Sequence, residues 1–185
     1  MAKNNKGGIC LMDNLLASVQ TVLATTPARW LSLTETLPVE LLTRPAAPGE
    51  WSALECLQHL LDTEQMVFPV RLKALLAGQD FQAFNPDAQG TKPLATQTAA
   101  ETAQQFAELR AANLVLLGQV TPADFDRTAR HSELGLVTLS ELLHEWAGHD
   151  LMHTVQAERA LMQPFIAGCG PWRPYFVDHE IVRKK

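Results

Sequence analysis

LLHEWAGHDLMHTVQAE, residues 142–158, places three of the chain's six histidines within ten positions, each near an acidic residue. Its apolar residues recur at helical spacing, and the pattern extends over about residues 139–166, a long helix ended by the glycines and prolines of GCGPWRPYF. At about 100° per residue, His149 and His153 lie on one face, one turn apart. By the same count His144 lies about 140° from His149 and about 180° from His153, so it cannot share a ligand with both. Leu142, Trp146, Gln156 and Ala160 fall on the His149 face, which marks it as an inward stripe. A one-turn histidine pair facing inward fits two readings, a metal grip or hydrogen-bonded core imidazoles, and the pair alone does not choose.

The rest of the chain supplies partners for this helix. GICLMDNLLASVQTVLATT is amphipathic, and Pro27 can open a second helical piece, PARWLSLTETL, or sit in one kinked helix. PVELLTRPAAPGE must be mostly turn. From Ser52, an N-cap three residues before Glu55, a helix runs through ALECLQHLLDTEQMVFPVRLKALLAG, with Pro69 expected to kink or split it. The stretch GQDFQAFNPDAQGTKPL reads as a loop, and a third long helix covers about residues 98–117, with Phe106, Leu109, Leu114 and Leu117 as packing residues. Thr121-Pro122 can start a short helical turn. No strand pattern of any length is visible, so the expectation is an all-α four-helix bundle. Residues 1–185 form a single domain, with a compact body over about 10–167 and a C-terminal extension, 168–185, that caps the bundle or lines a pocket mouth.

Composition narrows the function classes. The formal net charge of -5 offers no electrostatic case for binding a polyanion, and the basic ends MAKNNK and VRKK read as solubilising tails. Cys10, Cys56 and Cys169 are far apart and form no CxxC pair, which argues against a thiolate zinc site and gives no disulfide framework. No signal-peptide pattern and no run near 18 apolar residues is visible, so the expectation is a cytoplasmic protein with no membrane or nucleic-acid partner. Phosphate loops, HExxH and GxSxG motifs are absent from the sequence.

A mononuclear site needs at least one further ligand, and His59 is the best placed, mid-helix between Glu55 and Asp62 on a face that also holds Met66. Three imidazoles from two helices would leave coordination positions open, as in catalytic rather than closed zinc sites. Glu55, Asp62 and Glu145 are acid–base candidates, whereas Asp150, about 100° off the His149 face, should point outward or cap. His131, in the loop-like ARHSELG, reads as a surface residue. Trp51 should anchor a helix start in the core, and Trp30, Trp146 and Trp172 should fill space. Cys56 lies about 60° from His59 on the same helix and reads as a small buried hydrophobe rather than a nucleophile.

RPAAPGEWSALECLQHLLDTE (44–64) followed by HSELGLVTLSELLHEWAGHDLMHTVQAE (131–158) resembles the two signatures of the DinB-like superfamily, the DinB/YfiT-like metalloenzymes, over roughly residues 10–167. The resemblance implies that His59, His149 and His153 hold one divalent ion, with zinc, nickel and iron all suited to imidazole. It assigns His144 no such role. It also implies an up-down-down-up bundle with a long crossover and a homodimer. Relatives include transferases and isomerases that use low-molecular-weight thiols, which makes a metal-dependent thiol transferase or isomerase acting on a small molecule the first expectation. A metal-dependent hydrolase, or a non-catalytic metal-binding stress protein, is the alternative.

Overall fold

The computed structural model describes residues 14–84 and 97–181. The chain ends, Cys10 and residues 85–94 of the 78–94 loop lie outside them. Among the described residues six α-helices and one hairpin follow in order: α1 (Leu15–Thr36), α2 (Val39–Leu42), α3 (Ala53–Met66), α4 (Phe68–Ala77), α5 (Ala99–Leu117), β1 (Thr128–His131), β2 (Gly135–Thr138) and α6 (Leu139–Gly168). Short 3-10 turns cover Pro122–Asp124 and Gly170–Phe176. None of the helices described is long and apolar enough to cross a membrane.

Four helices make the bundle: α1 and α3 each pack against both α5 and α6, so α1 faces α3 across one diagonal and α5 faces α6 across the other. Local signals start three of them. Ser52, Thr98 and Thr138 each accept from the backbone of a glutamate three residues on, and that glutamate returns a bond to the cap residue. Such reciprocal caps satisfy donors that the first helical turn leaves free, each contributing about 1 kcal/mol.

The two internal prolines act differently. Pro69 sits in the first turn of α4, where a missing N–H costs nothing, and the expected long helix splits at Val67. Pro27 stays inside an unbroken α1. Its missing N–H leaves the Leu23 carbonyl without its helical donor, and Arg110 Nη1 on α5 donates to that carbonyl at 2.8 Å.

Arg110 is the centre of a buried polar layer. Its side chain is 1% exposed, and it donates to both Glu64 oxygens on α3 and both Asp150 oxygens on α6 at 2.7–3.2 Å. Thr26 Oγ1 on α1 accepts from it, and Asn113 Nδ2 and Trp146 Nε1 also donate to Glu64. Apolar side chains pack in two clusters, one including Leu23, Phe68, Leu72 and Trp146, the other Trp30, Leu57, Phe106 and Ala157. On α1, α5 and α6 the residues of the polar layer fall between those of the two clusters.

Four expectations are corrected here. Asp150 is fully buried, not outward, because α6 packs against α1 as well as α3 and so buries a wider arc than one stripe. A two-stranded antiparallel hairpin pairs Thr128 with Thr138 and His131 with Gly135, although no strand was expected. Each strand is only four residues long, too short for alternation to register, and Phe81 adds a parallel bridge to His131. His131 is therefore 5% exposed rather than a surface residue. Met66, placed on the inward face with His59, is 47% exposed at the end of α3, while His59 itself is buried.

The C-terminal segment turns back along α6. Gln163 Nε2 donates to the His179 carbonyl and Gln163 Oε1 accepts from Ile181 N, tying residues 179–181 to the helix.

Candidate metal centre

His59 projects from the middle of α3 and His149 and His153 from consecutive turns of α6. The pairing of α3 with α6 brings residues ninety positions apart to 3.0 Å between the Nε2 atoms of His59 and His149. One ligand nitrogen from each of the three rings lies within 4.8 Å of the others. Trp51 closes one side, stacked on His153 with ring centroids 5.7 Å apart and tilted against His59 at 5.0 Å. Phe68 meets His149 edge-on at 5.1 Å.

Two of the imidazoles, His149 and His153, are held neutral. Burial pushes His149 down to about 3, helped by the neighbouring His153 and His59 and by the charges of Arg71 and Arg110. Burial and His59 bring His153 to about 4, against the opposing effects of Gln156 and Asp150. Neutral imidazoles keep a lone pair, the form that binds a metal. Gln156 Oε1 accepts from His153 Nδ1 at 2.8 Å, which puts the ring proton on Nδ1 and leaves Nε2 as a donor atom. Between His59 and His149, one Nε2 proton can serve only one direction of the contact. His149 Nδ1 is buried with no hydrogen-bond partner among the described residues. A converging set of three imidazole nitrogens, one ring already oriented by Gln156, fits a borderline divalent cation such as zinc, nickel or iron.

The rings form one wall of a cavity of about 350 Å³, completed by Trp51, Thr63, Val67, Phe68, Arg71, Phe84, Glu145, Met152 and Gln156. A larger groove, about 900 Å³, runs beside it between Ala47–Pro48, α6 and Glu180–Ile181 and shares Met152 and Gln156 as a common wall. The groove is roomier, but the converging histidines are in the smaller cavity, so the chemistry belongs there.

With that geometry in view, a family model for the DinB superfamily matches residues 23–157. The chain belongs to the DinB superfamily. Among solved structures, YfiT from Bacillus subtilis, described as a probable metal-dependent hydrolase with an unusual four-helix bundle topology, is similar at a TM-score of 0.71. Identity is 19%, over 89% of this chain and 93% of that one, a likeness that shows the fold. No curated protein matches the chain.

In this DinB-superfamily chain the acid–base candidates separate. Glu145 lines the cavity, its side chain 49% exposed, with one oxygen 3.4 Å from Arg71 Nη1. Glu55 accepts from the backbone and hydroxyl of Ser52 in the helix cap and does not line the cavity. Asp62 also lies outside the lining and accepts from Gln58. His144 is exposed on the far side of α6. Cys56 is fully buried with its thiol pushed up to about 12, mainly by burial, which leaves it a packing residue. Trp51 is half-buried: it packs against the core cluster at the start of α3, as expected, and also lines the site wall. Sequence reasoning left out Arg71 and the Arg110 layer. A signal existed for Arg110: it shares a helical stripe with Phe106, Asn113 and Leu117, an arginine within a core-facing row.

Proposed function

We propose that the chain is a divalent-metal-dependent enzyme acting on a small molecule, with hydrolysis as its reaction. His59, His149 and His153 hold the ion and Glu145 handles protons. The observation that carries this reading is the convergence of three imidazoles, two of them held neutral, on a small cavity that also holds a half-exposed carboxylate. A bound divalent ion would supply Lewis acidity there. Glu145 reaches solvent and can therefore exchange a proton on every turnover. Trp51, Phe68 and Phe84 shield the inner part of the cavity from water, which strengthens any charge interaction inside it. The hydrolytic assignment follows the description of YfiT. Transfer of a low-molecular-weight thiol, expected from the sequence, would use the same ligands, with the thiol supplied from solution because Cys56 is sealed in the core.

Elemental analysis of protein purified without a metal-affinity step, with the single variants His59→Ala, His149→Ala, His153→Ala and His144→Ala, tests the site. The first three should bind metal more weakly and the last should match wild type. Normal affinity after loss of either His149 or His153 would sink the assignment. Panels of esters, amides and lactones, and separately of small thiols with electrophilic acceptors, then test the reaction with metal present and removed. Metal-dependent hydrolysis that Glu145→Gln abolishes is the expected result, and metal-dependent thiol transfer would replace it. Silence in both panels would leave a metal-binding protein without this catalysis.

A further inference from the structure

Arg71 lines the same cavity as the three histidines, on the second turn-forming stretch after the Val67 break, and is 9% exposed. Its charge is poorly answered. Glu145, its ion-pair partner, is 3.4 Å away and half in solvent, a long and screened contact. Phe81 offers a ring face with its centroid 5.6 Å from the guanidinium carbon. On its other side Nη2 meets His131 Nε2 at 3.3 Å.

The His131 contact cannot be a satisfied hydrogen bond. His131 Nδ1 faces the backbone N–H groups of Glu133 and Leu134, at 3.1 and 3.2 Å. Both are obligate donors, so Nδ1 carries the lone pair and the ring proton sits on Nε2. Arg71 then presents a donor to a donor. Giving Nε2 the lone pair instead would set the Nδ1 proton against two backbone donors. Three N–H donors converge on a ring with one acceptor, and a guanidinium in nearly dry surroundings is left short of an acceptor.

We infer that Arg71 is the specificity-determining residue of the cavity and that its ligand is the carboxylate of a small, otherwise apolar substrate. A planar guanidinium presents paired donors that match a carboxylate edge. The walls beside it, Trp51, Phe68 and Phe84, suit an apolar or aromatic body, and about 350 Å³ limits that body to a small molecule. Consistent with an under-compensated cation, burial lowers the Arg71 guanidinium from its ordinary value more than Glu145 restores it. Arg71 also depresses the basicity of His149, so its field reaches the proposed metal ligands. A substrate carboxylate that takes over the guanidinium releases Glu145, and the released carboxylate is the proposed acid–base group. In calling the ligand a substrate, this inference rests on the enzymatic reading above; anion recognition by Arg71 is measured independently of it.

The experiment is calorimetric titration of chelator-treated, metal-free protein with benzoate and with its neutral isostere benzamide. Benzoate should bind and benzamide should bind at least about tenfold more weakly, the scale of a charge-assisted hydrogen bond. Arg71→Gln should lose benzoate binding by a similar factor while binding metal at least as tightly as wild type, since a positive charge near His149 is removed. Arg71→Lys should retain part of it, and Lys73→Gln, outside this cavity, should behave as wild type. Glu145→Gln removes the competing anion at an exposed position and should tighten benzoate binding several-fold. If Arg71→Gln does not fold by circular dichroism, Arg71→Lys and Glu145→Gln carry the test. Equal binding of benzoate and benzamide, equal benzoate affinity in wild type and Arg71→Gln, or no gain in Glu145→Gln would each overturn the inference. Carboxylate binding through Arg71 in a chain that turns nothing over refutes the enzymatic reading alone. Metal-dependent turnover with no preference for carboxylates refutes the Arg71 role alone.

Discussion

Gln156 Oε1 accepts a hydrogen bond from His153 Nδ1 at 2.8 Å, from three residues further along α6. That bond decides which nitrogen is left to donate, and it comes from a neutral residue on the same helix. Orientation of this kind from behind a ligand is commonly worth ten- to a hundredfold in metal affinity.

Gln156→Leu should therefore weaken metal binding by about tenfold or more while leaving the helix intact, since Leu is a good helix former. Gln156→Glu keeps an acceptor and should bind metal at least as well as wild type. Competition titration against a chelator measures both, and an unchanged affinity in Gln156→Leu would refute the orienting role.

Acid should destabilise the metal-free protein through the same histidines. His149 and His153 are pushed down from 6.5 to about 3 and about 4. Below about pH 6.5 the unfolded chain takes up protons that the folded chain refuses, so stability falls as the pH falls toward 4. Above that range both states are neutral and the contribution vanishes. Each histidine adds a slope approaching about 1.4 kcal/mol per pH unit. Urea unfolding of chelator-treated protein at several pH values should show this loss, and His149→Leu should flatten it. A stability unchanged from pH 7 to 5 would contradict the neutral, buried state of the rings.

The Arg110 layer predicts a sharp asymmetry between one substitution and three. Arg110→Met leaves Glu64 and Asp150 as buried carboxylates without their cation and should cost about 3–5 kcal/mol, or abolish folding. Adding Glu64→Gln and Asp150→Asn removes the stranded charges and should recover a substantial part of the loss. Denaturant melts of the single and triple variants test this; a triple variant no more stable than the single one would show that shape, not charge, sets the cost.

Cys56 should be silent toward a thiol reagent in the native protein. It is fully buried and its thiol is pushed up to about 12, whereas Cys169 is partly exposed at the end of α6. In a Cys10→Ser background, one thiol should react at once and the second only on unfolding. Rapid native labelling of Cys56 would reopen it as a nucleophile.

The helices of this bundle and its histidine set could be read from the sequence for local reasons. Caps at Ser52, Thr98 and Thr138 and an i, i+4 pair at His149 and His153 are written in residues close together in the chain. The features that could not be read are products of long-range packing. Asp150 was assigned outward by an angle measured from one stripe, but a helix that touches two neighbours buries two flanks. His131 reads as loop until Phe81 and a four-residue strand close over it. Arg71 follows a proline break that resets the helical phase, so its face could not be projected from His59.

Arg110 finds acceptors on α1, on α3 and on α6, and one of its two on α1, the Leu23 carbonyl, is open to it because Pro27 has no N–H to donate. Glu64 and Asp150 answer its charge from α3 and α6, and only with α1 in place does every guanidinium N–H have an acceptor. The bundle therefore has little to gain from stopping half-formed. The folding of this chain should be all-or-none, with the last helix to dock determining whether any of the others stay.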